Sequence, residues 1–489
     1  MQTEQTKSIL IGGKWRDGNT LREVVNPATR EVVSRQAEVS EDEVKEAIDT
    51  ASEALDSWRR TSAFERSEIL GKVAALLLER AEDIGKTLTL ESGKLLTEAV
   101  GEVRFAADYF SWFAGEARRL EQMVRVDGRM SGPQMVAKKP VGVVASLTPW
   151  NFPVSIQARK VAPALAAGCT VVARPSEEAP NSVVELFHCL VDAGLPDGVA
   201  NLLTGPAGEI TELMLEDPRV RFISFTGSTR VGKMLYERSA PTMKRLALEL
   251  GGCAPFVVLE DADLEHTLEQ AMIAKFRNCG QSCVAANVFY VQDNLYEDFV
   301  SGLAERVSTL KLGDPLREET TVGPVINADR REAIEELRKQ AIFAGFEPVA
   351  SAPSLSEDSG LPLDCFFAPE LLTAPSYETV DPELLQTEIF GPLVLVAGFP
   401  ELERLIPALN RNPLGLAGYV FSKDVAKAMR VATRLEVGIG GINEGVASAT
   451  NAPMGGVKDS GLGREGGHIG MEEFLEPQYL AVRGRPFSA

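Results

Sequence analysis

Hydrophobic residues near the start of the chain recur at intervals of three and four. Ser40 and Glu43 have the spacing of a capping box, in which each side chain bonds the backbone N–H of the other residue. The apolar residues that follow are Val44, Ala47, Ile48, Ala51, Leu55 and Trp58. This pattern predicts an amphipathic helix that begins just after residue 40.

Farther along, short apolar runs alternate with segments long enough to form helices. The runs cover residues 141–148, 170–175, 200–205, 221–227 and 255–260. Alternation of this kind predicts an α/β fold with a mostly parallel sheet covered by helices on both faces. Two later runs, 287–293 and 392–399, indicate a second α/β unit, with the joint near Gly251 and Gly252. Residues 351–360 are expected to form an exposed loop.

Length and composition describe an ordinary globular protein with more than one domain. The chain has 489 residues, of which 44% are hydrophobic and 25% are charged, and roughly 150 residues per domain suggests two or three domains. We find no signal-peptide pattern and no apolar run of membrane-spanning length, so we expect a cytoplasmic protein.

Charge and cysteine content narrow the possible partners. A net charge of −20 and a sequence pI of about 4.8 argue against nucleic acid or an anionic membrane surface as a partner. An anionic substrate would need specific local cations. The six cysteines are scattered, without a CxxC pair, and there are three histidines, so we expect neither a disulfide framework nor a metal site.

Two glycine-rich segments resemble nucleotide-binding motifs. GLGREG, residues 461–466, fits G-x-G-x-x-G, but no strand precedes it, which makes a chance match the better interpretation. GSTRVGKM, residues 227–234, lies between a predicted strand and a predicted helix and resembles a Walker A loop, except that Met234 replaces the residue that would reach magnesium. Its position suits a phosphate at a helix N-terminus, although a plain helix-starting turn fits the local evidence equally well.

The segment FRNCGQSC, residues 276–283, contains two cysteines four positions apart, Cys279 and Cys283. A metal clip, a redox pair and a nucleophile beside an inert neighbour are all open interpretations, as is a buried structural thiol. A free thiol with a pKa near 8.5 needs a nearby cation or helix N-terminus to become reactive. Glu249 in LELGG stands at the end of a strand-like run, where a carboxylate can face a cleft.

Taken together, these segments resemble the motifs of the aldehyde dehydrogenase superfamily. LELGG and FRNCGQSC are joined in the expected order by TPWNFP (148–153), FTGSTRVG (225–232), EIFGP (388–392) and SGLGREG (460–466). The resemblance covers nearly the whole chain. It implies a Rossmann-type dinucleotide-binding domain in residues 1–121 and 139–250, an α/β catalytic domain in 251–456, and a small β oligomerisation element with a C-terminal segment in 122–138 and 457–489. It also implies a homodimer or homotetramer.

The resemblance assigns a catalytic role to five residues. The Cys283 thiolate would attack an aldehyde carbonyl, and the resulting oxyanion would be held by the Asn151 side chain and the N–H of the cysteine itself. Glu249 would activate the water that hydrolyses the thioester. Lys160 and Glu465 match positions that relay protons or order the glutamate.

The implied cofactor is a nicotinamide dinucleotide. A carboxylate at Glu177 would bind both ribose hydroxyls and repel a 2′-phosphate, which favours NAD. Arg174 replaces the usual lysine and can pair with a phosphate, so NADP stays possible. The residues implied in cofactor binding are Trp150, Arg174, Ser176, Glu177, Gly227, Ser228, Glu388 and Phe390.

The implied substrate is a short aldehyde with a distal anion. Residues 275–284 resemble the segment KFRN-x-GQ-x-CV of succinate-semialdehyde dehydrogenases, and Arg159, Arg277 and Ser448 match the cradle that holds the substrate carboxylate there. Glutarate semialdehyde, 2-oxoglutarate semialdehyde and sulfolactaldehyde carry comparable anions and are alternatives. A thiol esterase or acyltransferase that uses Cys283 and Glu249 without a cofactor is the rival class.

Overall fold

The computed structural model describes residues 5–18, 20–120, 123–125 and 134–482. Elements are numbered in chain order. The helices are α1 (Glu41–Trp58), α2 (Ala63–Glu79), α3 (Ala81–Ser92), α4 (Leu96–Ala117), α5 (Pro153–Ala167), α6 (Asn181–Asp192), α7 (Ala207–Glu216), α8 (Thr229–Ser239), α9 (Leu264–Phe276), α10 (Asp293–Ser308), α11 (Ala328–Phe343), α12 (Pro382–Leu385), α13 (Leu402–Asn410), α14 (Val425–Ala432) and α15 (Gly467–Glu472).

The strands are β1 (Gln5–Lys7), β2 (Ile9–Ile11), β3 (Lys14–Arg16), β4 (Thr20–Val25), β5 (Val32–Glu38), β6 (Met123–Arg125), β7 (Gln134–Pro140), β8 (Val143–Leu147), β9 (Thr170–Arg174), β10 (Ala200–Leu202), β11 (Val220–Thr226), β12 (Arg245–Glu249), β13 (Ala254–Val258), β14 (Ala286–Gln292), β15 (Glu347–Ser351), β16 (Glu370–Ala374), β17 (Leu393–Phe399), β18 (Leu414–Gly415), β19 (Ala417–Phe421), β20 (Ile439–Ile442), β21 (Val457–Lys458), β22 (Gly461–Leu462) and β23 (Leu475–Ala481).

The first large sheet has the order β22-β12-β11-β8-β9-β10-β2-β3. Its strands from β12 to β10 run parallel, whereas β2, β3 and β22 join antiparallel at the two edges. The chain moves outward from β8 through β9 to β10 and then returns to the other side of β8 with β11 and β12. The crevice beyond the carboxyl ends of β8 and β11 is therefore a switch point, where α/β sheets bind their ligands.

The second large sheet has the order β15-β16-β17-β14-β13-β19-β20 and is parallel except at β15. Its first strand in chain order is β13, which is separated from β12 of the first sheet by four residues. The central strands of both sheets are buried, and each sheet supports its own hydrophobic core. These sheets confirm the predicted α/β class with mostly parallel strands.

A third, antiparallel sheet has the order β23-β7-β6. The predicted hairpin near 122–138 falls partly outside the described residues, since residue 122 and residues 126–133 are not among them. Its strand β7 pairs with the C-terminal strand β23 along its whole length, from Leu475↔Pro140 to Ala481↔Gln134. Beyond these, β1, β5 and β4 form a small sheet, and β18 pairs with β21.

Helix α1 confirms the amphipathic helix expected after residue 40, including the reciprocal capping bonds between Ser40 and Glu43. Between α1 and β8 the chain forms the long helices α2, α3 and α4, which the apolar pattern had not singled out. They pack against α5 and α6, which lie on the first sheet, and contribute aromatic residues such as Phe110 and Phe113 to its core. None of the described helices is long and apolar enough to cross a membrane; the cytoplasmic location stays a prediction.

Candidate active site

Residues of the quoted motifs gather at the carboxyl ends of the parallel strands in the first sheet. Trp150 and Asn151 follow β8, Ser176 and Glu177 follow β9, Gly227 and Ser228 follow β11, and Glu249 is the last residue of β12. Thr226 and Glu249 are register partners in neighbouring strands. Parallel pairing thus brings segments that are far apart in sequence to one edge.

The second sheet meets this edge through the segment that precedes β14. A Cβ atom added at Gly252 would lie 2.2 Å from the carbonyl oxygen of Cys283, so only glycine allows the two backbones to approach. The Gly252 N–H also donates to Glu388 Oε1 at 3.1 Å. The second glycine of LELGG therefore sets the distance between the first sheet and the thiol.

A left-handed turn presents Cys283 to the cleft. Asn278, Cys279 and Gly280 all have positive φ, at 53°, 55° and 73°, a conformation that costs roughly 1–2 kcal/mol for each non-glycine residue. Buried hydrogen bonds hold the turn: the Gln281 side chain donates to Asn278 O at 3.1 Å and accepts from Ile326 N at 2.9 Å. The Tyr419 hydroxyl donates to the carbonyl of Val284 at 2.6 Å, just after the cysteine.

The structure supports an inert role for Cys279. Its side chain is buried in the core of the second sheet, and burial raises the pKa of its thiol far above the ordinary value. All six cysteines are unpaired, and Cys283 is the one that is not fully buried. Cys279 and Cys283 lack the additional ligands that a metal site would need, because no cluster of three or more His, Cys, Asp or Glu side chains occurs in the described part of the chain.

Asn151 lies beside the nucleophile segment with its side-chain amide facing the same backbone. Its Nδ2 donates to Gln281 O at 3.3 Å, and Asn278 Nδ2 donates to Asn151 O at 2.9 Å. Lys94 Nζ donates to the same Asn151 carbonyl at 2.8 Å. The asparagine is thereby fixed by three neighbours within reach of Cys283, as an oxyanion donor must be.

Lys94 also forms a buried ion pair with Glu102, and both side chains are almost fully inaccessible. Glu102 Oε1 in turn accepts the N–H groups of Val154 and Ser155 at 3.0 and 3.1 Å, so a carboxylate from α4 caps the first turn of α5. Helix α5 carries Arg159 and Lys160. Lys94 and Glu102 could not be identified from the sequence, because neither belongs to a recognised segment and their roles depend on tertiary contacts.

Glu249 lies in a cluster of buried charges. Both of its carboxylate oxygens are buried without a hydrogen-bond partner in the described residues. Burial raises the pKa of Glu249 well above its ordinary value, and the neighbouring Glu465 raises it further. Glu465 pairs with Lys160 Nζ and lies 2.7 Å from Arg159 Nε; these cations keep its pKa low despite its burial. A carboxyl group with a raised pKa is suited to accept a proton near neutral pH.

Burial also raises the pKa of the Cys283 thiol, to about 12, against the opposing charge of Arg159. The thiol is therefore protonated at rest, because the nearby cations lower its pKa by less than the loss of water raises it. Cys283 precedes a strand, so no helix dipole assists it. A base is needed to take its proton, and two buried carboxyl groups with raised pKa, Glu388 and Glu249, lie close enough for their charges to act on the thiol.

A cavity of about 380 Å³ opens in front of Cys283. All three predicted substrate residues line it. The lining includes Arg159, Arg277, Ser448, Phe152, Met454 and Glu98.

The two arginines of this cavity differ in what they contact. Arg159 forms an ion pair with Glu465 through its Nε. Arg277, half-buried, makes no hydrogen bond or ion pair with any of the described residues, and its guanidinium lies over the ring of Phe152, 5.0 Å from the centroid. Glu98 accepts the N–H of Asn278 at 3.0 Å, and burial raises the pKa of this carboxyl group, which reduces the negative charge facing Arg277.

A second cavity, of about 230 Å³, reaches Cys283 from the other side. Trp150, Asn151, Gly227, Ser228, Glu388 and Phe390 line it, as do Thr226 and Arg330. Thr226 Oγ1 and Arg330 Nε are buried there without hydrogen-bond partners in the described residues. Trp150 and Phe390 meet edge to face with centroids 5.6 Å apart. Unpaired polar atoms beside flat aromatic rings fit a dinucleotide whose nicotinamide end approaches the thiol.

The helix N-termini of the first sheet indicate where the phosphates of such a ligand fit. Protein carboxylates already cap three of the four helices that follow its strands: Glu102 caps α5, Glu91 caps α6 and Glu177 caps α7. Within the described residues α8 has no carboxylate at its start and is capped by its own Ser228 hydroxyl. Its N–H groups are therefore the ones left for an external anion.

The expected adenosine-ribose site contains an ion pair between the buried Arg174 and the partly buried Glu177. Arg174 Nη2 also donates to Gly205 O at 2.9 Å, and Glu177 Oε1 accepts the Ala207 N–H at 3.0 Å. Burial opposes the charge on Glu177, but Arg174 and the backbone donors lower its pKa. Ser176 lies beside the pair and accepts the Glu178 N–H at 3.3 Å.

The segment 461–466 has a different role from the one its glycines suggest. Gly461 and Leu462 form β22, which pairs antiparallel with β12, and Glu465 then enters the charge cluster. Its resemblance to a dinucleotide fingerprint is therefore a chance match, as the sequence context indicated. GSTRVG lies between β11 and α8 as predicted.

Comparison with known proteins agrees with this site. The model of the aldehyde dehydrogenase family matches residues 15–480. A succinate-semialdehyde dehydrogenase [NADP(+)] of Escherichia coli K12 is 40% identical over 97% of this chain and 98% of its own length, and a glutarate-semialdehyde dehydrogenase of Pseudomonas putida KT2440 is 41% identical over 96% and 97%. A crystal structure of an aldehyde dehydrogenase from Brucella melitensis biovar abortus 2308 superposes with a TM-score of 0.94 at 39% identity, covering 99% of this chain and 100% of that one.

The chain belongs to the aldehyde dehydrogenase family, which confirms the resemblance read from its motifs. The individual roles of the site residues stay predictions.

Gly280→Ala should disrupt the turn that presents the nucleophile. At φ +73° an alanine is strained, and its Cβ would lie 2.3 Å from Gly391 O. We expect a loss of at least about 2 kcal/mol in the free energy of unfolding and a large drop in aldehyde oxidation, measured by urea unfolding and by turnover. Gly71→Ala is the matched control, since Gly71 lies exposed in α2 with open space around its Cα; it should gain about 0.5–1 kcal/mol. Equal behaviour of the two variants would contradict the strained-turn interpretation.

Proposed function

We propose that the protein oxidises succinate semialdehyde to succinate with a nicotinamide dinucleotide as cofactor. The observation that carries the proposal is the unpaired guanidinium of Arg277, which faces the cavity in front of Cys283. A half-buried guanidinium that has lost part of its hydration without gaining a carboxylate partner is costly, and an anionic ligand would offset that cost. Relatives named for succinate semialdehyde and glutarate semialdehyde support an anionic substrate.

The chemistry requires a thiolate, an oxyanion site and a base. Glu249 takes the proton of Cys283, whose sulfur then attacks the aldehyde carbon and forms a C–S bond. The carbonyl oxygen becomes an oxyanion held by Asn151 Nδ2 and the Cys283 N–H, and each such donor contributes ~2.7–4 kcal/mol. Trp150, Glu388 and Phe390 would hold a nicotinamide in the cavity beside Cys283, where it would supply the hydride acceptor needed to oxidise this carbon to a thioester.

Hydrolysis of the thioester returns the protein to its starting state. Glu249 first passes the cysteine proton onward and, ionised again, accepts a proton from water as the water oxygen attacks the acyl carbon. The C–S bond breaks, the acid leaves, and the Cys283 sulfur takes the proton held by Glu249, which restores the thiol and the ionised carboxylate. Lys160 and Glu465 border Glu249 and offer a route by which its proton passes onward.

We propose residues 1–121 and 139–250 as the dinucleotide-binding domain and 251–456 as the catalytic domain. The cofactor cavity supports this division, because it is built mainly from the loops after β8 and β11 together with Glu388 and Phe390.

Arg277→Leu provides the main test. Removing this cation should lower kcat/KM for succinate semialdehyde roughly ten- to 150-fold, the value of one charge-assisted hydrogen bond of ~1.5–3 kcal/mol. Butanal, which has the same chain length without the anion, should lose only a few-fold. Arg104→Leu, an exposed cation of α4, is the control and should change neither.

Equal losses for butanal and succinate semialdehyde would contradict the anion cradle. A series of anionic aldehydes that includes glutarate semialdehyde, 2-oxoglutarate semialdehyde and sulfolactaldehyde identifies the preferred length and headgroup. Esterase or acyltransferase activity without any reduction of nicotinamide would favour the rival class.

We further propose a preference for NAD over NADP. The ionised Glu177 can accept hydrogen bonds from the ribose hydroxyls, and Arg174 is already engaged by Glu177 and Gly205, which leaves less positive charge for a 2′-phosphate. Glu177→Gln should lower the ratio of kcat/KM with NAD to that with NADP at least about tenfold. Glu178→Gln, at the neighbouring carboxylate, should leave the ratio unchanged. A kcat/KM with NADP that equals or exceeds that with NAD in the native protein would contradict the preference.

We also propose that the sheet β23-β7-β6 mediates assembly into a homodimer or homotetramer. It projects hydrophobic side chains into solvent, with Met123, Val124, Tyr479 and Leu480 each more than 40% exposed, and such a surface is stabilised by covering it with a second copy. Light scattering should give two or four times the chain mass of 52.8 kDa. Leu480→Asp should lower the assembled fraction, whereas Leu78→Asp, at an exposed leucine of α2, should not. A monomeric native protein would contradict the proposal.

A further inference from the structure

Arg159 contacts two parts of the site at once. Its Nε lies 2.7 Å from Glu465 Oε2 in the charge cluster. Its Nη1 contacts the sulfur of Met454, which lines the cavity in front of Cys283. One guanidinium, 95% buried, therefore joins the cavity proposed for the substrate anion to the carboxylates proposed for proton transfer.

The surroundings of Glu249 contain charged groups from several elements. Burial leaves its carboxylate without water, so these groups control its charge. They are Arg159 and Lys160 on α5, Arg464 and Glu465 after β22, Tyr109 on α4 and Cys283 before β14.

The three cations of this group, Arg159, Lys160 and Arg464, are bound to different partners. Lys160 Nζ is bound to Glu465 and to Ser224 Oγ, at 3.2 Å from the latter. Arg464 Nη1 donates to the carbonyls of Gly456 and Gly463 at 2.9 and 2.7 Å. Neither of these two borders the cavity in front of Cys283, whereas Arg159 does. Among the described residues, Arg159 is thus the cation of this cluster that a substrate anion can reach.

We propose that Arg159 is a positioning residue that couples the distal anion of the substrate to the Glu249–Glu465 carboxylate pair. The inference rests on the proposed function, because it takes the substrate to be anionic. An empty cavity, or one that holds a neutral aldehyde, leaves the full charge of Arg159 to stabilise the ionised carboxylates. An anion in the cavity offsets that charge, so the protonated form of Glu249 becomes more favourable. Glu249 is then a stronger base when the correct acyl group is attached to Cys283.

The test is the pH dependence of thioester hydrolysis, followed by rapid-quench decay of the acyl-enzyme. Butanal serves as the neutral substrate, so that substrate binding does not depend on either arginine. Arg159→Leu removes a cation close to the base and should move the acid limb of the profile to higher pH by about one unit or more. Arg159→Lys keeps the charge and should stay closer to the native profile than to that of the leucine variant.

Arg277→Leu is the matched control, since Arg277 lines the same cavity but makes no contact with Glu465. With butanal, its acid limb should coincide with that of the native protein. In the native protein, the acid limb with succinate semialdehyde should lie above the one with butanal. An unmoved acid limb in Arg159→Leu, an equal shift in Arg277→Leu, or a lysine variant that behaves like the leucine variant would overturn the coupling.

Failure of the proposed function would be seen in a different measurement. Unchanged KM for succinate semialdehyde in Arg277→Leu would overturn the anion cradle. The butanal profiles of the Arg159 variants do not depend on that result, so the link between Arg159 and the carboxylate pair is tested on its own.

Discussion

The close approach of backbone at the junction of the two parallel sheets is the constraint on which the site depends. Gly252, just after the first sheet, packs against the carbonyl of Cys283, and Gly280 packs against the carbonyl of Gly391. A side chain at either position would separate segments that now touch. Because these segments touch, the carboxylate of Glu249 and the thiol of Cys283 face a common cleft. Glu249 ends a strand of the first sheet, and Cys283 precedes a strand of the second.

The same crowding removes water from the charges around Glu249. The pKa of each of these groups therefore depends on the charges of the others, as it does in general for ionisable groups that lose contact with water. Burial raises the pKa of both Cys283 and Glu249, so both groups favour their protonated, neutral forms. Helix α5, which carries Arg159 and Lys160 of this cluster, is itself fixed by the buried carboxylate of Glu102 at its start.

Local sequence patterns predicted several central strands of the two large sheets and the capped helix α1, because these depend on periodicity and on contacts between near neighbours. The motif residues were identified by their resemblance to the aldehyde dehydrogenase family. Parallel pairing then brought the predicted residues to one edge, as the switch-point rule requires. What the sequence did not reveal depends on distant contacts. The buried partnership of Lys94 with Glu102 is formed between helices, the commitment of Arg159 to Glu465 joins residues 306 positions apart, and the left-handed φ of Asn278 and Cys279 is imposed by their hydrogen-bonded surroundings.

The carboxylate of Glu177 serves the fold as well as the ligand site. It accepts the first N–H of α7 from Ala207 and holds the guanidinium of Arg174. A change to alanine or serine, the simplest way to admit a bulkier phosphate at the ribose, would leave a helix end without its cap and an arginine without its counter-ion. Cofactor choice and thermodynamic stability are therefore linked at this position. Evolution can change the cofactor without lowering the stability only through neighbouring residues, or through a glutamine that keeps a hydrogen-bond acceptor.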